Sequence, residues 1–194
     1  MSKTTIPTAG LADDAVDNTK LDLTSNYAFT GTVTGAGGGI TMADQWRLTA
    51  DTSITTSDQT ISSNLERVDS TGFNYIGSGM SQSSGIFTFP STGIYLIDVT
   101  AHFSADSQDT ACNLSILTTT DNSNFDDACI ITAGNYTSQI QQSVSNRFIF
   151  DVTNTSTHKF KLNTHSVSSG SFLNGETDRN RTSITVIRLG DTWW

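Results

Sequence analysis

The most regular alternation of apolar and polar residues in this chain lies between positions 93 and 104. Apolar side chains occupy every second position there, at Tyr95, Ile97, Val99, Ala101 and Phe103. Successive side chains of a β-strand point to opposite faces, so this alternation places all of them on one face. The pattern therefore predicts a long, half-buried strand with one apolar face.

Shorter strand patterns flank this segment, with turn residues between them. Upstream, we predict four strands, over residues 45–51, 64–69, 73–77 and 86–89. Downstream, we predict two strands around the polar loop 121–124, over residues 114–118 and 128–133. Two further apolar faces follow, one with Phe148, Phe150 and Val152 and one with Phe160 and Leu162.

The last strand pattern, over residues 182–189, is apolar on both faces. Ile184 and Val186 lie on one face, and Ile187 and Leu189 lie on the other. Two apolar faces are typical of a central strand or of a strand buried in a subunit interface. No segment has a convincing amphipathic helical pattern. About nine or ten strands remain, enough for an all-β two-sheet sandwich or jelly roll.

Residues 1–40 follow a different pattern. Their large apolar residues recur at intervals of five, at Ile6, Leu11, Val16 and Leu21. This spacing matches neither the helical nor the strand period. Three copies wound together would each contribute one apolar side chain per layer, which predicts an extended attachment stalk; a disordered leader is the alternative. A strand over residues 27–34 and a glycine-rich joint over 35–39 precede the predicted head domain, residues 41–194.

Composition and charge narrow the classes of function. Only 15% of the residues are charged, too few for a solvated disordered chain. Asp and Glu total 19 against 10 for Lys and Arg, and the basic residues form no run. A phosphate-binding surface needs concentrated positive charge, so we expect no nucleic-acid partner.

The N-terminal sequence lacks the apolar core of a secretory signal, and no apolar run approaches the ~20 residues that span a bilayer. We therefore expect assembly in a cytosol, without membrane insertion. Because disulfides are rare in that compartment, we expect Cys112 and Cys129 to be free, core-facing thiols. A hairpin centred on residues 120–121 would nevertheless place the two cysteines opposite each other on paired strands.

The candidate metal ligands are scattered. His158 and His165 have opposite strand parity, so they cannot share a metal without a bulge, and we expect surface or interface histidines. His102 lies on the face opposite the apolar residues of its strand. Carboxylates cluster in two loops, which contain Asp106 and Asp109, and Asp121, Asp126 and Asp127. Calcium is bound by such oxygen-rich loops, but no EF-hand pattern is present, and solvated turns without metal are the favoured interpretation.

Several motifs near the strongest strand resemble the core of C1q-like domains. They are Leu65-Glu66-Arg67-Val68-Asp69, Gly72-Phe73, Gly85-Ile86-Phe87-Thr88-Phe89-Pro90, Gly93-Ile94-Tyr95-Leu96-Ile97 and the closing segment 183–189. The resemblance covers about residues 45–190. It implies a jelly-roll β-sandwich like that of tumour-necrosis-factor heads, packed as a tight homotrimer. The residues expected to form this core and trimer packing are Phe87, Phe89, Tyr95, Ile97, Val99, Phe103, Ile184 and Val186.

The N-terminal segment lacks the Gly-X-Y repeat of a collagen stalk. Residues 6–16 and 19–21 instead resemble units of phage fibre proteins, especially those of marine phages. This resemblance implies a tailed-phage virion protein that is assembled in the host bacterial cytoplasm and anchored through its N-terminal arm to other virion proteins. The head would then bind a host-surface glycan or protein as part of a tail fibre, through distal loops at 104–110, 121–127 and 168–180. A capsid decoration or head-fibre protein is the main alternative, and a secreted bacterial C1q-like protein is a weaker one.

Catalysis is not expected. No Gly-x-Ser-x-Gly elbow occurs, and a polysaccharide-degrading tail spike would need a matched pair of carboxyl groups. The chain has only two glutamates, Glu66 and Glu176, and its aspartates form no informative pattern. The terminal Trp193 and Trp194 would plug a neighbouring subunit, grip a carbohydrate ring or cap the protein's own core.

Overall fold

The computed structural model describes residues 39–54, 58–105, 109–135, 141–165 and 171–192. Several predictions fall outside these residues. They are the stalk with Ile6, Leu11, Val16 and Leu21, the strand over 27–34, most of the glycine-rich joint, and the roles of Asp106, Trp193 and Trp194.

The described ranges contain thirteen β-strands and no helix, which confirms the all-β prediction. The first six strands are β1 Ala43–Leu48, β2 Thr52–Ile54, β3 Gln59–Thr60, β4 Leu65–Arg67, β5 Ser81–Ser83 and β6 Ile86–Thr88. The remaining strands are β7 Gly93–Ala105, β8 Asp109–Thr119, β9 Asp126–Asn135, β10 Gln141–Val152, β11 Lys159–His165, β12 Ser171–Leu173 and β13 Ser183–Gly190. Because these ranges contain no helix, they also contain no helix that could span a membrane.

The strands form two antiparallel sheets packed face to face. The seven-stranded sheet has the order β2-β12-β7-β13-β1-β4, and β10 also pairs with β7. The six-stranded sheet has the order β5-β6-β11-β8-β9, and β3 also pairs with β11. The last strand, β13, lies between β7 and β1, so its two apolar faces do belong to a central strand. This arrangement confirms the predicted jelly-roll sandwich.

The alternation in β7 produces the predicted burial. Every odd-numbered residue from Gly93 to Ala105 is buried, and every even-numbered residue is partly exposed. Aromatic rings from both sheets fill the space between them: Phe87 stacks on Phe160 at 4.7 Å between centroids, and Phe89 packs against Tyr95 at 4.7 Å. The buried Tyr95 hydroxyl donates to the Ser91 carbonyl at 2.8 Å, so the polar end of this ring is satisfied.

The predicted strand over residues 73–77 is wrong. Only Ile76 pairs there, through a single bridge to Ala43. Gly72, Gly77 and Gly79 have φ values of +91°, +72° and +67°, which interrupt an extended chain on both sides of the bridge. The segment is therefore a loop that touches the start of β1 at one point.

The predicted hairpin around the polar loop is present, but its register differs from the expectation. Cys112 lies opposite Ala133, and Cys129 lies opposite Ile116, because the turn centre is displaced and a bulge interrupts the pairing after Ile116. No disulfide joins the two cysteines. Cys112 is buried, Cys129 packs against the core, and burial raises the pKa of the Cys129 thiol.

The sandwich has two ends. The chain enters it beside Arg188, whose backbone N–H donates to the Met42 carbonyl at 2.9 Å. The turns at 89–92, 120–125 and 153–158 lie at this entry end, because Gly93 pairs with Val152 there. The opposite, far end carries residues 49–51 and 174–182 and the ends of β7 and β11.

Candidate interaction surface

An apolar row crosses the outward face of the seven-stranded sheet. Ala43 pairs with Ile187, Ile187 with Leu96, and Leu96 with Ile149, so four strands contribute one side chain each in register. The bridge from Ala43 extends this apolar row to Ile76. Directly paired residues point to the same face of a sheet, so the five side chains form one continuous strip.

The apolar row is accessible in the single chain. The exposed fraction is 60% for Ile149 and 47% for Ile76, and the adjacent Leu189 is 54% exposed. Burying one such aliphatic side chain contributes about 1.5–3 kcal/mol, so a strip of them left in water forfeits a substantial stabilisation. Contiguous exposed apolar residues of this kind mark an interaction surface.

A polar row runs parallel to the apolar row. Each of its residues lies two positions away from a member of the apolar row on the same strand. Gln45 pairs with Thr185, Thr185 with Asp98, and Asp98 with Arg147. The Gln45 amide donates to the Thr185 hydroxyl at 2.9 Å, and the Arg147 guanidinium lies 3.6 Å from the Asp98 carboxylate. An apolar strip beside hydrogen-bonding side chains has the anatomy of a protein interface, with a dry centre and a polar rim.

A shallow cavity of about 190 Å³ opens at one end of the apolar row. Its wall combines outward residues of β1 and β13 with the loop before β5, and it is lined by Ala43, Asp44, Gln45, Phe73, Asn74, Thr185 and Ile187. This volume suits a side chain or another small group. The cavity therefore belongs to the same surface as the apolar row.

The eight residues expected to form core and trimer packing all lie inside the single chain. Each has an exposed fraction of 1% or less: Phe87, Phe89, Tyr95, Ile97, Val99, Phe103, Ile184 and Val186. They pack between the two sheets and leave no side-chain surface for another subunit. Of the outward residues in the apolar row, the sequence pattern indicates only Ile187, through the second apolar face of the last strand. It gives no signal for Leu96 and Ile149, which belong to other strands.

The loops predicted to be distal do not share one end of the sandwich. The loop 121–127 lies at the entry end, where β8 passes into β9. Asp109 begins β8 at the far end, and residues 174–180 also lie there. Part of the predicted loop 168–180 is the strand β12, which pairs with β2 and β7.

Asp121 organises its own turn. Its Oδ1 accepts hydrogen bonds from the backbone N–H groups of Ser123 and Asn124 at 2.8 Å each, and from the Thr119 hydroxyl at 2.8 Å. The backbone N–H of Asn124, followed by that of Ser123, holds the pKa of the Asp121 carboxyl far below its usual range. Asp126 and Asp127 begin β9 and are exposed. In the described part of the chain, no group of three or more His, Cys, Asp or Glu side chains is arranged to hold a metal ion.

The three histidines occupy three different environments. His102 faces outward on β7, where its Nδ1 lies 2.7 Å from the Ser143 hydroxyl. His158 was expected at the surface or in an interface, but it is buried in the turn after β10 and stacks on Phe150 at 5.6 Å. His165 ends β11, and its Nδ1 lies 2.9 Å from a carboxylate oxygen of Asp58.

Both glutamates are held by arginines. Glu66 accepts from the buried Arg47 at 2.8 Å, and Glu176 accepts from Arg181 at 2.8 Å. The hydrogen bond from Arg181 lowers the pKa of the Glu176 carboxyl. A general acid in glycoside cleavage needs a raised pKa instead, so Glu176 is poorly suited to that role.

Comparisons with known proteins identify the fold. No family model matches the chain, and no curated protein matches it. Among solved structures, it is similar to the Eiger TNF of S. frugiperda, with a TM-score of 0.60 and 10% identity, over 79% of this chain and 96% of that one. It is also similar to murine APRIL, with a TM-score of 0.55 and 11% identity, over 76% of this chain and 98% of that one.

The globular domain of zebrafish complement 1qA also matches, with a TM-score of 0.46 and 10% identity, over 78% of this chain and 99% of that one. At such low identities a likeness concerns the fold, and function has to be argued from the chain's own surfaces. The first two matches agree with the two-sheet antiparallel sandwich of this chain. The described part of this chain is a tumour-necrosis-factor-type jelly roll.

Proposed function

We propose that this chain is a non-enzymatic structural protein of a tailed-phage virion. Its jelly-roll heads associate as a homotrimer on the particle surface and bind the host cell surface as part of a tail fibre. The N-terminal residues 1–40 attach the trimer to other virion proteins. The chain acts by binding a glycan or a protein, without a cofactor and without entering a membrane.

The apolar row is the observation that supports association of the heads. Ile187, Leu96 and Ile149 lie in register on the outward face and are accessible in the single chain. A second copy of the same sheet region can cover such a strip, and Asp98 and Arg147 already pair beside it. The number of three subunits follows from the resemblance to C1q-like domains.

The far end of the sandwich has features that suit ligand binding. The first described residues lie beside Arg188 at one end. The far end carries the polar segment 174–182, in which Glu176 is paired with both Arg179 and Arg181. A rigid scaffold that presents a charged loop suits recognition of a host-surface ligand.

The virion assignment rests on residues 6–16 and 19–21, which resemble units of phage fibre proteins. The same resemblance is compatible with a capsid decoration protein, in which the arm pins the trimer to the shell. A polysaccharide-degrading spike is less well supported, because arginines hold both glutamates.

The direct test is labelling of intact particles with an antibody raised against residues 41–194, viewed by electron microscopy. We expect label on the tail, and binding of the purified chain to host cells. Label scattered over the capsid would replace the tail-fibre function by decoration. Absence of label from every particle would refute the virion function. Light scattering on the purified chain provides the independent test of the trimer.

A further inference from the structure

The apolar row has two unlike ends. Its residues lie in register across four neighbouring strands, from Ala43 on β1 to Ile149 on β10. Neighbouring strands are ~4.8 Å apart, so the strand with Ala43 and the strand with Ile149 are separated by about 14 Å. A surface that presents different groups at its two ends can join copies of one chain head to tail.

Ile149 forms the projecting end of the row. Its strand, β10, pairs with β7 along one edge, and it is the last strand on that side of the seven-stranded sheet among the described residues. No further strand of that sheet therefore covers the Ile149 side chain in the described part of the chain. Its exposed fraction of 60% is the highest among the large apolar side chains that the structure describes.

The opposite end of the row is recessed. The cavity of about 190 Å³ lies there, and Ala43, Phe73 and Ile187 form its apolar wall. An apolar cavity of roughly 150 Å³ holds a benzene ring, which is larger than the four-carbon side chain of isoleucine. Asp44 also lines the cavity, but its carboxylate is bound by Arg67. The cavity therefore has the size and the polarity to take an aliphatic side chain.

The polar row follows the same geometry. Arg147 lies two residues from Ile149 toward the far end, and Gln45 and Thr185 lie two residues from the cavity wall in the same direction. A rotation about an axis along the strands leaves the level of every residue along that axis unchanged. It can therefore bring Ile149 of one copy to the cavity of the next copy. The Arg147 guanidinium then meets uncharged oxygen acceptors on Gln45 and Thr185 rather than another cation.

We propose that Ile149 of one subunit packs into the cavity of the next subunit, around a threefold axis that runs along the strands. This inference rests on the homotrimer of the proposed function and names the contact that closes it. A closed ring needs a heterologous contact, in which each copy uses two different patches. Packing of the apolar row against itself would be isologous and would stop at a dimer. The ~14 Å between β1 and β10 prevents Ile149 from filling the cavity of its own chain.

Cross-linking between introduced thiols tests this contact in the full-length chain. Ile149→Cys places a thiol at the projecting end, and Asn74→Cys places one at the exposed rim of the cavity. A short bismaleimide cannot span about 14 Å within one chain, so the double variant should give covalent dimers and trimers on a denaturing gel. Each single variant should stay monomeric on that gel, because Cys112 is buried and Cys129 is half-buried.

Mixing two defective variants provides a second test. Ile149→Asp spoils the projecting end, and Ala43→Phe fills the cavity. Each variant alone should be a monomer by light scattering. An equimolar mixture should form a heterodimer, because Ile149 of the Ala43→Phe variant still fits the open cavity of the other variant. Packing of one patch against itself would place both defects in the same contact, and the mixture would stay monomeric.

The matched control for cross-linking combines Asn74→Cys with Lys161→Cys. Lys161 lies on β11, in the middle of the six-stranded sheet, and this pair should give no covalent trimer. Circular dichroism checks that each variant is folded, and the cysteine variants keep the test valid if Ala43→Phe is not. A trimeric mass without cross-links in the Ile149→Cys/Asn74→Cys variant would overturn this contact and leave the homotrimer intact. Equal cross-linking of the Ile149→Cys single variant would also overturn it. A monomeric wild type would refute the homotrimer itself.

Discussion

The Asp44 carboxylate and the Arg67 guanidinium form a two-pronged ion pair, with Oδ1–Nε at 3.0 Å and Oδ2–Nη2 at 3.1 Å. The Asp44 side chain is completely buried, and Arg67 is 31% exposed. Asp44 Oδ2 also accepts from the Met80 backbone N–H at 2.7 Å and from the Trp46 indole at 3.0 Å. Arg67 lies over the Tyr75 ring at 4.5 Å. The pair and its contact with Met80 thus join strands β1 and β4 of the seven-stranded sheet to the segment before β5 of the six-stranded sheet.

Replacing Asp44 should destabilise the head severely. Asp44→Ala removes the buried acceptor of the Met80 N–H and the Trp46 indole, and it leaves Arg67 with only the Met80 carbonyl. Removing one partner of a buried ion pair costs about 3–5 kcal/mol in the free energy of unfolding. Urea denaturation followed by tryptophan fluorescence measures this loss. Arg147→Ala breaks a pair whose arginine is 63% exposed and should cost less than about 1 kcal/mol, and a similar loss for both variants would contradict the prediction.

Charge placed in the apolar row should separate the subunits. Ile149→Asp introduces a carboxylate at the most exposed position of the row and should convert the proposed trimer into a monomer with an unchanged fold, because the desolvation of an unpaired charge opposes association. Size-exclusion chromatography with light scattering gives the mass. Ile130→Asp is the matched control: Ile130 is 51% exposed, but it lies on the six-stranded sheet. Equal dissociation of both variants would show that the apolar row is not the interface between subunits.

A methyl group at Gly93 should strain the start of β7. Gly93 has a φ of +149°, and a Cβ there would lie 2.7 Å from the Gly190 carbonyl oxygen and 2.4 Å from the Arg188 Nε. We expect Gly93→Ala to lower the melting temperature by several degrees, corresponding to a loss of more than about 1 kcal/mol. Gly190→Ala meets no atom within 4 Å and should have little effect. Indistinguishable melting curves would show that β7 begins without this constraint.

Acid should loosen the turn at Asp121. Because the folded-state pKa of Asp121 is lowered, its contribution is complete above the ordinary carboxyl pKa and is lost as the pH falls below it. Asp121→Ala should remove this pH dependence and the protection from hydrogen exchange of the Ser123 and Asn124 amides. NMR exchange measurements on both proteins test this. Asp126→Ala, at a nearby exposed carboxylate, should leave that protection unchanged, and loss of it there would assign the effect to general charge.

Much of the fold could be predicted from local patterns. The alternation from Tyr95 to Phe103 predicted β7, and the double apolar face of residues 182–189 predicted a central or interface strand, which is central in the sheet. The prediction failed where the backbone departs from a regular strand. Residues 73–77 contain strand-forming side chains, but the left-handed glycines around them allow only one bridge. Cys112 and Cys129 were assigned the wrong partners because a bulge displaced the register.

The candidate sites were less predictable than the core. Parity separates inward from outward residues within one strand, but it does not show that Ile187, Leu96 and Ile149 are neighbours. That row exists because β13 inserts beside β7, and β10 pairs on the other side. Similarly, Asp58 and Asp127 are far from His165 in the chain and meet it only across the six-stranded sheet.

The sequence by itself therefore determined the all-β class, the strands with clear alternation and the inward residues, because side-chain direction in a strand is a local property of the backbone. Only the tertiary structure decided the strand order, the register of the β8–β9 hairpin, the ends at which the loops lie and the ion pair of Asp44 with Arg67. The hairpin register depends on a bulge that the side-chain pattern does not show. The other features depend on closing long loops between distant segments, and the choice among the possible pairings is made by the packing of the whole sandwich.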